Sequence, residues 1–205
     1  MISNSLTNNL SSSASVCAVV LLCLLVTPAV WTQPLSGTAE NVQGSYFVKG
    51  DRLFHVLSVD DTISYSAWER GGITDFDTSN PFRILVFSAP FQKIYYLDNR
   101  LVPLSGDFSL SGLGLGEVTC VCASRQGGFW VYDRWQEKLI RFDAQAQRVV
   151  SSENFSILGL TQVEPVKIRE VGNQLYVCCM EQGGCRFDLF GNYICPDPAM
   201  RPEDF

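Results

Sequence analysis

Apolar and aromatic residues in this chain come in short runs separated by turn-forming residues. Beyond the N-terminus no stretch shows the three-to-four-residue spacing of an amphipathic helix. Ile84-Leu85-Val86-Phe87, Phe129-Trp130-Val131-Tyr132 and Leu175-Tyr176-Val177-Cys178 are each followed, about nine residues on, by a second run of the same character. Ser88-Ala89-Pro90, Asp133-Arg134-Trp135-Gln136 and Glu181-Gln182-Gly183-Gly184 fall between the paired runs and carry turn chemistry, so each pair reads as a β-hairpin. A tighter hairpin precedes them, with Tyr46-Phe47-Val48 leading through Lys49-Gly50-Asp51 into Arg52-Leu53-Phe54-His55-Val56-Leu57. The second strands then begin near residues 52, 93, 138 and 184. Three of them end on an aspartate, and Asp98, Asp143 and Asp188 lie 45 residues apart.

A period of this length, with hairpins inside each unit, predicts the blades of a β-propeller. Further runs complete the later units: 118–123 and 148–151 flank the third hairpin, and 166–169 and 192–195 flank the fourth. The expected fold is therefore all-β, propeller-like, with about four blades of four antiparallel strands. A β-sandwich with chance spacing shares the alternation but does not explain the period. Closure is the open question, because about 170 residues at some 45 per blade reach only the lower end of the usual four to eight blades. Residues 196–205 contain three prolines and no strand pattern, unlike a strand that would close a ring. Three arrangements fit: a small four-bladed ring, an arc completed by another chain, or a longer protein cut short after the fourth blade. The recurring aspartates are expected to form turns and bond backbone amides, since a residue repeated at the end of an equivalent strand is usually structural.

Residues 16–26 form an apolar core preceded by polar Ser and Asn and followed by Thr27-Pro28-Ala29, the layout of a secretory signal despite the absence of Lys and Arg before it. Residues 1–32 are read as a signal peptide, with an uncleaved anchor as the alternative, residues 33–195 as the propeller-like domain and 196–205 as a proline-rich tail. Membrane contact would come only through that N-terminal segment if it is kept. Every charged side chain lies at or after Glu40, and the net charge of −6 argues against nucleic acid and against an anionic membrane surface. A hydrophobic fraction of 46% excludes a disordered chain.

Six cysteines follow the leader. Cys179 and Cys185 flank one hairpin turn and form a candidate disulfide, as an exported protein permits. Cys-x-Cys at Cys120 and Cys122 and the Cys178-Cys179 doublet lack the knuckle spacing and the histidine of a zinc site, so no metal is expected. The segment Asp75-Phe76-Asp77-Thr78-Ser79-Asn80 starts like a calcium loop, but Asn80 stands at the turn glycine and Val86 at the bidentate glutamate; it is read as a loop leading into a strand at Pro81-Phe82. Gly112, Gly114 and Gly116 precede a strand and not a helix, so they read as a connector and not as a phosphate loop. His55, the single histidine, sits mid-strand, and no catalytic set or cofactor motif assembles around it.

Asn80-Pro81-Phe82-Arg83-Ile84-Leu85-Val86-Phe87, followed by Lys93-Ile94-Tyr95-Tyr96-Leu97-Asp98-Asn99-Arg100-Leu101, resembles a family of uncharacterised exported proteins of Bacteroidetes. The resemblance extends over residues 42–194 and includes Phe129-Trp130-Val131-Tyr132-Asp133 and Phe190-Gly191-Asn192. It implies a propeller-like fold, a periplasmic or envelope location and a somewhat longer chain, and it carries over no catalytic residues. Asp61-Thr62-Ile63 is similar to the O-glycosylation acceptor of that phylum. The expected function is a non-enzymatic envelope scaffold that binds a protein or a glycan through exposed aromatics such as Trp130 and Trp135. The alternative is a glycan-active enzyme, or a remnant of one, with paired carboxylates in a central cleft.

Overall fold

A computed structural model describes residues 38–41, 44–104, 106–161, 163–180 and 183–204. The predicted leader lies outside these residues. The described chain is all-β, with three short 3-10 turns and four separate four-stranded antiparallel sheets, each a simple meander. Sheet 1 is β1 (Thr38–Asn41), β2 (Gly44–Lys49), β3 (Arg52–Ser58) and β4 (Asp61–Ser66). Sheet 2 is β5 (Asp75–Asp77), β6 (Ile84–Ser88), β7 (Lys93–Leu97) and β8 (Phe108–Ser109). Sheet 3 is β9 (Val118–Ala123), β10 (Phe129–Asp133), β11 (Lys138–Phe142) and β12 (Arg148–Ser151). Sheet 4 is β13 (Pro165–Val171), β14 (Gln174–Cys179), β15 (Gly183–Asp188) and β16 (Tyr193–Asp197).

The second strands start at residues 52, 93, 138 and 183, within one residue of the sequence expectation. Two segments differ. Asp75–Asp77 is a strand, β5, and Pro81-Phe82 lies in a turn before β6. β16 runs on through Pro196 and Asp197, because an outermost strand tolerates a proline whose missing N–H would have faced away from the sheet.

β9 lies between β5 and β13, so the first strands of sheets 2, 3 and 4 are innermost and the later strands radiate outward, as in a propeller. Three apolar cores fill the spaces between consecutive sheets. Tyr46, Leu53, Ile84, Val86, Tyr95 and Leu97 join sheets 1 and 2. Leu85, Phe87, Ile94, Val121, Phe129 and Phe142 join sheets 2 and 3. Cys120, Trp130, Leu139, Leu175, Val177 and Phe187 join sheets 3 and 4. Burying one such side chain is worth about 1.5–3 kcal/mol, so these interfaces dominate stability. Among the described residues no fourth core joins sheet 4 to sheet 1, and the four sheets form an arc.

The burial pattern carries the same information. Every residue of β6 and of β10 is buried, because sheets 2 and 3 have a neighbour on each side. In β2 and β3 burial alternates, as a sheet packed on one face requires.

Polar side chains tie the sheets together. Ala123 N donates to Asp77 Oδ2 at 2.9 Å. Gln92 pairs with the edge of sheet 3 as a strand would, accepting from Val118 N at 2.8 Å and donating to Val118 O at 3.0 Å. Glu170 accepts from Trp130 Nε1 at 2.8 Å and Arg125 N at 3.0 Å, and Lys167 of sheet 4 reaches Asp75 of sheet 2 at 3.2 Å.

Candidate functional site

The β10–β11 turn is organised by Asp133, a fully buried carboxylate at the end of β10. Its oxygens accept from Trp135 N at 2.9 Å, Gln136 N at 3.3 Å, Gln136 Nε2 at 2.6 Å and Gly116 N at 2.9 Å. A short acidic side chain at this point satisfies backbone donors that a four-residue turn cannot pair within itself. The turn closes with Glu137 in the left-handed region at φ 51°. Trp135 is thereby held outward and is 74% exposed. Its ring rests on Gly116, where an added Cβ would come within 2.7 Å of the indole.

Beside this turn, between the end of sheet 3 and the 152–164 connection that leads to sheet 4, opens a groove of about 440 Å³. Tyr132, Phe155, Leu160 and Val163 give it an apolar lining, and Arg134, Glu137 and Glu164 give it charge. Tyr132 packs on Phe155 at 5.0 Å between ring centres, and Phe155 stacks on Phe187 at 5.4 Å, so the lining is continuous with the core. Burial pushes the Tyr132 hydroxyl above its usual range, with Glu137 adding to the effect. Arg134 bridges two acids, binding Glu117 at 3.1 Å and Glu164. Glu137 accepts from the Ser156 hydroxyl. The groove thus offers a cation and acids around an apolar lining, beside the turn that carries Trp135, which suits a polar ligand with apolar faces.

None of the residues singled out in sequence lines this groove; Trp135 stands on the adjoining turn, next to Arg134. Trp130, expected at the surface, is fully buried in the core between sheets 3 and 4; β10 has a sheet on each side, so neither of its faces is free. Cys179 and Cys185 do not pair. The β14–β15 register sets Cys179 against Gly183 and Cys185 against Val177, and both thiols are free and buried. Burial raises each to about 12, which keeps them protonated and slow to oxidise. Asp98, Asp143 and Asp188 make one and the same turn three times. The Oδ1 of each accepts from the amides two and four residues on at 2.8–2.9 Å. The residue three positions on takes a left-handed φ of 59° at Leu101, 59° at Ala146 and 84° at Gly191.

His55 is buried, stacks on Tyr46 at 4.0 Å and donates through Nδ1 to Asn99 O at 2.9 Å, joining sheets 1 and 2. Asp77 and Asn80 accept from Ser79 N and Phe82 N in local turns. Gly114 ends a short 3-10 turn in a left-handed conformation. Among the described residues no three acidic, cysteine or histidine side chains converge as a metal site. Arg134, Glu137, Phe155 and Glu164 went unnoticed in sequence, because they come from a turn and from the 152–164 connection, which only the packing of sheet 4 on sheet 3 brings together.

No protein-family model matches the chain, and no curated protein matches it in sequence. Solved structures match its fold. A streptogramin B lyase is 13% identical over 78% of this chain and 53% of its own, with a TM-score of 0.58. A catalytically inactive virginiamycin B lyase from Staphylococcus aureus, crystallised with quinupristin, is 9% identical over 83% of this chain and 58% of its own, also at 0.58. A protein of unknown function from Bacteroides caccae is 12% identical over 79% of this chain and 60% of its own, at 0.54. The likeness is one of fold, β-propeller-like, and the chain spans between half and three-fifths of the length of these structures.

Proposed function

We propose that this chain is a non-enzymatic interaction scaffold of the cell envelope, akin to the uncharacterised exported proteins of Bacteroidetes, which binds a glycan or a partner protein at the groove between the end of sheet 3 and the 152–164 connection. The observation that carries this reading is Trp135: a large aromatic held outward by a buried aspartate, resting on a glycine, beside a groove of mixed charge. Exposed tryptophans of this kind are frequent anchors of binding. Support also comes from the acids nearest the axis. Asp75, Asp77 and Glu170 are engaged with Lys167, Ala123 N and Trp130, respectively, in joining one sheet to another.

Calorimetric titration of the intact chain with a panel of envelope oligosaccharides and with proteins recovered from the envelope tests the reading. Binding that weakens by about thirtyfold in Trp135→Ala, as for a hot-spot residue, supports it. Binding unaffected by Trp135→Ala overturns the site. Turnover of any glycan in the panel overturns the non-enzymatic role and favours the glycan-active enzyme.

A further inference from the structure

The arc has two outer faces, and their chemistry differs in a matched way. On sheet 1 the side chains opposite the buried Tyr46, Val48 and Leu53 are Lys49, Phe47, Arg52 and Phe54. Phe47 and Phe54 are cross-strand partners with rings stacked at 4.9 Å, and Lys49 pairs with Arg52 at the turn end of the same face. Both cations are exposed. Arg52 reaches across to Ser64, and the nearby Asp51 accepts from Ser66.

On sheet 4 one row crosses the outer face from Arg169 through Tyr176 and Arg186 to Cys195. At the turn end of that face the chain after β16 folds back. Met200 is buried against Gly184, where an added Cβ would meet its sulfur at 2.5 Å. This brings Glu203 and Asp204, both exposed, close enough to Cys178 to raise its thiol alongside the effect of burial. Arg201 in the same segment turns its guanidinium onto Pro198 O and Met200 O. Equivalent levels of the two outer faces therefore oppose each other in character: cations against acids at the turn end, a phenylalanine pair against arginines and a tyrosine in the middle. Arginine over an aromatic ring is a contact this chain already makes, with Arg83 4.0 Å from the Tyr96 ring centre and Arg70 4.9 Å from that of Tyr95.

We propose that the outer face of sheet 1 docks on the outer face of sheet 4 of a second copy, and the reverse, so that two arcs close a ring of eight sheets. Eight lies within the range of propeller blades, and a head-to-tail contact that repeats after half a turn closes without leaving either face open. Closure supplies the contact between sheet 4 and sheet 1 that the described residues of one chain do not make and covers the outer faces of both end sheets. The proposal is independent of the ligand assigned to the groove.

Sedimentation velocity of the full chain tests it by charge exchange. The wild type is expected to sediment at two chain masses. Lys49→Glu with Arg52→Glu should weaken the dimer at least about tenfold, since like charges would then face each other. Glu203→Lys with Asp204→Lys should do the same, and the four changes together should restore dimerisation. Restoration cannot come from a folding defect, and either pair alone keeps the test informative if the other fails to fold, as judged by circular dichroism. A monomer at all concentrations, its faces bare or covered by its own N-terminal segment, overturns the proposal. So does a dimer indifferent to both pairs, or growth into longer head-to-tail species.

Discussion

Asp143 shows how much one side chain settles locally. It directly follows β11 and accepts from Gln145 N and Gln147 N at 2.9 Å each, while its own amide donates to Gln147 O at 3.0 Å. The turn requires a left-handed residue, and Ala146 takes that conformation without being glycine. A carboxylate acceptor is what holds such a turn against the residue's own preference. Asp143→Ala is expected to cost about 1–2 kcal/mol of stability, the scale of lost charge-assisted turn bonds at an exposed site, and Asp143→Asn less, because an amide oxygen still accepts. Urea midpoints of the two variants check this; equal losses would mean that charge and not acceptance matters. Asp188 repeats the arrangement: slight burial pushes its carboxyl up, but bonds from Asn192, Phe190 and Gly191 outweigh this and leave it below the usual carboxylate range.

At the scale of elements, the innermost strands are joined by charge. Burial raises the Asp75 carboxyl above its ordinary value, and the opposing pull of Lys167 and of Phe76 N does not cancel it. A carboxyl with a raised folded value favours the folded state in its protonated form. Its contribution is complete below the unfolded value of about 4 and is lost as pH rises through the folded value. Asp75→Asn removes that loss while keeping the shape. The variant's stability relative to the wild type should therefore grow as pH rises across this window, with Lys167 left partly solvated. Urea unfolding at pH values on either side of the window checks the sign; a difference that shrinks with rising pH would show that the ion pair outweighs burial. β5 itself escaped the sequence reading because Asp75-Phe76-Asp77 is too short and too acidic to look like a strand; its place is set by pairing with β6 and by what Asp75 and Asp77 bind on other sheets.

The whole arc behaves as a row of layers whose apolar cores each join only neighbouring sheets, with the Lys167–Asp75 pair as a longer link near the inner strands. Sheets 2 and 3 each contribute to two cores, sheets 1 and 4 to one. Opening a middle sheet disrupts both of its cores, so ladder amides of β6, β7, β10 and β11 are expected to exchange slowest, outlasting those of β2 and β16 by about tenfold or more. Hydrogen exchange read peptide by peptide checks this order; uniform protection would indicate one cooperative unit.

Strand positions were legible because they depend on local chemistry: alternation or continuous runs of β-branched and aromatic residues, broken by turn residues at a 45-residue period. The recurring aspartates were legible for the same reason, since each bonds amides within four residues of itself. Trp130 and Trp135 mark the limit. They stand five residues apart with similar local credentials, yet one is at the centre of a core and the other in solvent. Pairing across a strand decided Cys185 likewise, placing Val177 opposite it and not Cys179. The amino-acid sequence by itself determined the strands, the turns and the blade period, which follow from interactions a few residues apart. Only the tertiary structure decided which faces are covered, which cysteines and tryptophans are buried, and where Arg134 meets Glu164, because these depend on how one sheet packs on the next and no local pattern records it.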